Sequence, residues 1–356
     1  MNPSTIRGMP THLSHNQARD KFTYPSLENA VIRDVKNIRN GFTSFETHSK
    51  PVTMVQFSSQ GDKVISGDET GCVYVWNSDH PTLMVSWDIQ GLTGTVRDAA
   101  FNDEGDRAVI VGDSVGGVIG KAINVTLKKV DNDLSGHATK ALGVSMKRNR
   151  PFKLYTCSED NTVNVYAAPP QVNLLKSLKM HKGFVNCVRT SPDNKIFVSC
   201  SSDKSLSISS VETDEVIKHL ENAHAGSIYS ITWFEDSTKF ATCSADKTVK
   251  VWSASGDLIS TLNVSPKPTV DDMQVGVIKI LGYLVSLSLN GTLNFWTEAS
   301  LAQSNLAQPD YCIFGHNVTS FHLETNNSQQ ADRSKNLLCR QRRSHPHLQG
   351  RELLPS

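Results

Sequence analysis

Three histidine–aspartate pairs stand out by their spacing. His224 precedes Asp246 by 22 residues, His181 precedes Asp203 by 22, and His137 precedes Asp160 by 23. A histidine beside a carboxylate is the raw material of general acid–base catalysis, and with further ligands of a metal site. A catalytic pair, however, is needed once. Here the pair returns down the chain at a nearly constant interval, which assigns it to the scaffold. Once these recurring positions are set aside, no nucleophile–base pair or metal-spaced cluster remains. The reading is therefore of a non-enzyme without cofactor or metal. Gly112-Asp113-Ser114-Val115-Gly116-Gly117 is glycine-rich and follows a strand pattern, as phosphate-cradling loops do. It lacks the Lys-Ser/Thr ending and a following helix pattern, so phosphate is not its expected ligand.

The interval itself predicts the architecture. Asp160, Asp203, Asp246 and Asn290 lie 43, 43 and 44 residues apart. The stretch 223–252 holds three short runs rich in Ile, Val, Thr and aromatics, and turn residues separate them. Strands so short bury no core alone, so the unit must stack on copies of itself. Trp252 follows Asp246 by six residues and closes the third run. His48 with Trp76 and Ser286 to Trp296 extend the same frame to both sides. In the repeat that begins at His48, Thr70 occupies the slot of the turn aspartate, which predicts an incomplete polar network there.

Composition narrows the classes. The chain has 356 residues, 36 Lys+Arg against 35 Asp+Glu, and a formal net charge of +1, so no bulk field favours nucleic acid or membrane. No apolar run approaches the roughly 18 residues that span a bilayer. Its 7 cysteines, at 72, 157, 187, 200, 243, 312 and 339, include no Cys-x-x-Cys pair. Cys200 and Cys243 take equivalent repeat positions, which fits small buried hydrophobes in a reducing compartment.

In chain order, residues 1–10 read as a loose terminus. Residues 11–314 hold seven repeat equivalents, the first irregular and without His or Asp anchors. Residues 315–325 start an eighth repeat that is lost after Leu323, and 326–356 read as a disordered tail with the basic cluster Arg340-Gln341-Arg342-Arg343. The break in mid-repeat reads as a truncated or frame-shifted gene model. The fold class expected is all-β: one ring of seven blades, closed because an open stack would leave a bare sheet edge.

The period and its anchors resemble the WD-repeat family, whose fold is the β-propeller. That resemblance implies that the inter-blade His, the turn Asp and the third-strand Trp join one hydrogen-bonded network. It also implies that the inter-blade loop and the turn between second and third strands share a face. Residues outside the anchors are more specific. Asn149-Arg150-Pro151-Phe152-Lys153-Leu154, Ser158-Glu159-Asp160-Asn161, Phe184-Val185-Asn186-Cys187-Val188-Arg189 and Gln274-Val275-Gly276-Val277 look like the actin-interacting protein 1 family. So do Arg7-Gly8-Met9-Pro10-Thr11-His12-Leu13-Ser14 and Leu284 to Gly291, and the likeness spans roughly residues 7–323.

That family is a tandem pair of seven-bladed propellers which binds cofilin-decorated actin filaments and promotes their severing. The resemblance implies actin filaments and cofilin as partners, a monomer, and a place in the cytoplasmic actin cytoskeleton. It implies that Asp113, Glu159 and Phe184 face actin. The family's Gly-Pro-Pro-Phe-Lys-Phe segment reads Ala168-Pro169-Pro170-Gln171-Val172-Asn173 here, and its Gly-Glu-Gly turn reads Gly112-Asp113-Ser114. The runner-up expectation is a general WD-repeat adaptor, such as a ubiquitin-ligase substrate receptor. The remaining expectation is that His137–Asp160, His181–Asp203 and His224–Asp246, with Trp252, are structural.

Overall fold

The computed structural model describes residues 1–38, 41–80, 85–90, 92–113, 116–168, 171–301 and 309–313. The expectations for residues 315–325 and 326–356 lie outside the described residues. Within them the chain folds as seven four-stranded antiparallel sheets. The blades cover residues 14–45, 52–90, 96–134, 141–178, 185–220, 228–263 and 274–313. The architecture is the seven-bladed β-propeller that the period predicts.

Blade 6 shows why the repeat folds this way. Its strands are Ile228–Trp233, Lys239–Ser244, Thr248–Ser253 and Leu258–Asn263, paired in sequence order. In the middle strands the alternating β-branched and aromatic positions have neighbouring blades on both sides and are mostly buried. The outer strand has a blade on neither side of its edge, and Leu258 and Ile259 remain exposed. Between blades 5 and 6, Val198, Ile208, Ile231, Trp233, Phe240 and Trp252 form one buried cluster. Each fully buried side chain of this kind contributes about 1.5–3 kcal/mol of transfer free energy. Stacking the blades therefore supplies what one sheet cannot.

Blade 1 is built wholly from the start of the described chain and blade 7 wholly from its end, so no strand is exchanged between them. The seam closes by packing instead. Phe22, Tyr24 and Val31 of blade 1 share a buried cluster with Val275, Ile278, Ile280, Leu284 and Phe295 of blade 7. The segment before Ser14, expected to be loose over residues 1–10, straps this seam. The Ser4 N–H donates to Pro25 O at 2.9 Å and the Thr11 N–H to Val275 O at 2.8 Å, while the Thr5 hydroxyl donates to Leu289 O. Gly276 permits the approach, since a Cβ there would meet Thr11 O at 2.8 Å. The first strand is accordingly only Ser14–His15, because Thr11 is paired with blade 7 and the His12 ring is turned to Asp98 on the channel wall.

Candidate functional site

The loop entering each inner strand and the turn between second and third strands lie at one end of the ring. They are held there by the repeating polar network. In blade 6, His224 Nδ1–H donates to Asp246 Oδ2 at 2.8 Å, and Nε2 accepts from the Thr242 hydroxyl at 2.8 Å. The indole N–H of Trp252 donates to the same Thr242 oxygen at 2.9 Å. Asp246 also accepts from the Ala225 N–H and from both the N–H and the hydroxyl of Thr248. Burial would raise this carboxyl, but the His224 and Thr248 bonds outweigh it and hold it well below the usual carboxylate range. Burial lowers the His224 pKa against the pull of Asp246, so the ring stays neutral beside an ionised acid. With every polar atom engaged inside the protein, the circuit ties the two loops together.

Blade 4 repeats the arrangement. His137 Nδ1 lies 2.9 Å from Asp160, Nε2 lies 2.7 Å from Thr156, and the Ala138 N–H donates to Asp160. Tyr166 stands in the tryptophan slot, and its hydroxyl donates to Ser135 O at 2.9 Å. Blade 5 differs from its expectation. His181 Nδ1 is 3.7 Å from Asp203, too far for a hydrogen bond, and pairs with the Ser205 hydroxyl oxygen at 2.7 Å. Ser205 in turn donates to Asp203, which also accepts from the Lys182 N–H at 2.6 Å. The pair is bridged, not direct.

Blade 2 corrects a further expectation. Its network is complete despite Thr70, because Asp68, two residues earlier at the end of the second strand, supplies the carboxylate. His48 Nδ1 lies 3.1 Å from Asp68 and Nε2 lies 2.8 Å from Ser66, to which the Trp76 indole N–H also donates. Thr70 caps the arrangement by donating to Asp68 at 2.7 Å. In blade 7, which has no histidine, Gln274 takes the role: its Nε2 donates to Ser288 at 2.8 Å and its Oε1 accepts from Ser286. An amide offers one donor and one acceptor end, as a neutral imidazole does. That equivalence of roles is the signal that marks Gln274, which lies outside the spacing shared by the histidines.

The rim residues divide. Asp113 is not a free acid, because Arg97 clamps it with Nε at 3.0 Å and Nη2 at 2.8 Å, and Lys140 Nζ lies 3.5 Å away. Glu159 is half-buried, its N–H donates to Lys140 O at 3.2 Å, and its carboxylate has no ion-pair partner among the described residues. Lys140 thus links the two acidic turns of blades 3 and 4. Phe184, one blade further on, is 50% exposed, and its carbonyl accepts from the Ser202 N–H at 2.8 Å. A large aromatic ring is therefore presented to solvent from backbone pinned to the adjacent turn.

At the middle of the ring lies a channel of about 1180 Å³ lined by the inner strands. A buried charge cluster sits on its wall, and sequence reasoning missed it because its members do not repeat. Asp98 accepts from His12 Nε2 at 2.7 Å, from Arg189 Nη1 at 2.8 Å and from the Val144 N–H at 2.9 Å. Burial would raise the Asp98 carboxyl, but Arg189 and His12 prevail and it is pulled down to about 2. No group of three or more His, Cys, Asp and Glu among the described residues is placed to hold a metal ion.

With this geometry, comparison with known proteins is informative. The model of the WD domain, G-beta repeat, matches residues 41–77, 172–208 and 215–253. The chain is similar to a protein of Arabidopsis thaliana named actin-interacting protein 1-2, 35% identical over 309 residues, which is 85% of this chain and 50% of that protein. It is similar to WD repeat-containing protein 1 of Xenopus tropicalis, 28% identical over 92% of this chain and 53% of the relative. A 66 kDa stress protein of Physarum polycephalum is 30% identical over 91% of this chain and 53% of its own length. The chain thus spans about half the length of the curated relatives it matches. The seven blades, the repeating His–Asp braces and these similarities place the chain in the WD-repeat family, among the actin-interacting protein 1 relatives.

Proposed function

We propose that the chain is a non-enzymatic binding module for actin filaments in the cytoplasm, acting as a monomer where cofilin decorates the filament and assisting cofilin-driven severing and disassembly. The similarity to a protein named for its interaction with actin supplies the partner class. The observation that carries the surface is Phe184, a half-exposed aromatic ring one blade on from the turn that bears the half-buried Glu159. An aromatic anchor ringed by polar groups is the composition of an energetic centre in a protein interface. Asp113 supports the rim through Arg97 and Lys140 instead of meeting the partner with a bare charge. Asn173, in place of a family aromatic, lies in the turn between the third and fourth strands of blade 4, at the end of the ring opposite Phe184.

The test is co-sedimentation of the full chain with bare and with cofilin-decorated filaments. Pelleting rises with cofilin, and Phe184→Ala weakens it at least tenfold, about 1.4 kcal/mol. Glu159→Ala has a smaller effect. Equal binding by folded variants rules out this face, and cofilin-independent behaviour favours a general adaptor role.

A further inference from the structure

Blade 5 differs from its neighbours in the layer of side chains just inside the channel wall. Its strands Val185–Thr190 and Ile196–Ser201 pair antiparallel with Cys187 directly opposite Cys200. At the matching level in blade 4 Cys157 faces Gly143, and in blade 6 Cys243 faces Ser230. Facing residues of an antiparallel ladder keep their Cα atoms about 4.5–5.5 Å apart and direct their side chains to one side. A disulfide spans Cα separations of about 4.4–6.8 Å. Cys187 and Cys200 therefore meet the backbone requirement without displacement of either strand, and both lie in the buried cluster between blades 5 and 6.

Access and electrostatics single out one member of the pair. Cys187 lines the central channel, whereas Cys157, Cys200 and Cys243 do not. The Arg189 guanidinium, two residues on, is anchored beside it by Asp98. The neighbouring Cys200 thiol and then the Arg189 cation pull the Cys187 thiol below its ordinary value against the opposing effect of burial. Burial pushes the Cys157 and Cys243 thiols up, which keeps them inert. Low thiolate energy together with access is what makes a cysteine reactive.

We propose that Cys187 and Cys200 form a reversible dithiol–disulfide pair, oxidised by a small peroxide that enters through the central channel. The Cys187 thiolate attacks one peroxide oxygen and the O–O bond breaks. Cys187 becomes a sulfenic acid, and the departing hydroxide takes up the thiol proton as water. Cys200 sulfur then attacks the sulfenic sulfur, the S–O bond breaks, and the leaving hydroxide takes the Cys200 proton as a second water. Two thiols and one peroxide give one disulfide and two waters, with both electrons coming from sulfur. A dithiol reductant restores the pair by exchange. The bond would staple the two inner strands of blade 5, whose upper ends carry Phe184 and the Ser202 turn.

The experiment treats the folded full chain with increasing hydrogen peroxide, quenches with catalase, unfolds, alkylates with N-ethylmaleimide and maps peptides by mass. Arg189 and Lys195 provide cleavage sites between the two cysteines. The expected product joins the Cys187 and Cys200 peptides, loses two alkylatable thiols and regains both with dithiothreitol. Cys157 and Cys243 remain alkylatable throughout. Cys200→Ser stalls at a Cys187 sulfenic acid that dimedone traps, and Cys187→Ser abolishes the reaction. Parent-protein mapping alone decides the matter if a variant does not fold. Oxidation of Cys187 without a link, a link from it to any other cysteine, or equal reactivity of Cys157 and Cys243 overturns the proposal.

Discussion

Blades 5 and 6 carry the same 22-residue frame from histidine to aspartate, yet they make different bonds. In blade 6 the imidazole meets the carboxylate directly at 2.8 Å, and Trp252 and Thr242 complete a closed circuit. In blade 5 the ring and carboxylate stand 3.7 Å apart with Ser205 between them, and Ser209 occupies the tryptophan slot. His219 fills part of that space, its ring 5.7 Å from His181. Spacing sets which loops meet, while the small residues around the pair set which atoms touch. The two blades should therefore differ in how much each aspartate contributes.

The largest expected effect is Asp246→Ala. It leaves the His224 Nδ1–H only the Thr248 hydroxyl oxygen at 3.3 Å, strands the Ala225 N–H and removes two bonds to Thr248. Loss of about 3 kcal/mol, the upper end for unsatisfied buried donors, is expected by urea unfolding. A change below about 1 kcal/mol would break the view that the blade 6 circuit is a brace.

Acid weakens the same brace without mutation. The Asp246 carboxyl is depressed in the fold from its ordinary 3.8, so its contribution is present above that value and is lost as pH falls further. The His224 pKa is also depressed, from 6.5, so the fold favours the neutral ring and that contribution fades as pH falls below 6.5. Stability measured against pH should thus decline in two stages on acidification, and Asp246→Asn should flatten the lower stage. An unchanged lower stage in the variant would transfer the effect to other carboxylates.

Asp203→Ala comes next, at about 1 kcal/mol, because His181 keeps both the Ser205 and the Ser199 hydroxyls when the acid is removed. Equal losses for Asp203→Ala and Asp246→Ala would erase the distinction between the blades. The smallest effect belongs to Phe184→Ala, whose exposed ring leaves stability within about 0.5 kcal/mol. That outcome sharpens the contrast between a residue held for stability and one presented for binding. A larger loss would mean that the ring packs on the blade.

Much of this was readable from residues within one repeat. His224, Asp246 and Trp252 lie within one repeat, and the resemblance to WD repeats is what implied their contact. The same logic located His137 with Asp160 and predicted the seven blades. It failed where a residue changed type or slot but kept its role: Asp68 replaces an acid at Thr70, and Gln274 replaces a histidine. Nothing in a turn sequence announces that Arg97, from the neighbouring strand, pairs with Asp113.

By itself the sequence determined the period, the blade number and the local braces, since each depends on hydrogen bonds closed between residues a few tens of positions apart. Only the tertiary structure decided the contacts that close the ring and line its channel. Asp98 joins His12 and Arg189 across 86 and 91 residues, and Thr11 meets Val275 at the seam. Cys187 faces Cys200 within one hairpin, but its place on the channel wall beside Arg189 depends on the neighbouring blades. Such contacts carry no period, because the curvature of the whole ring, and not the length of any one turn, brings the residues together.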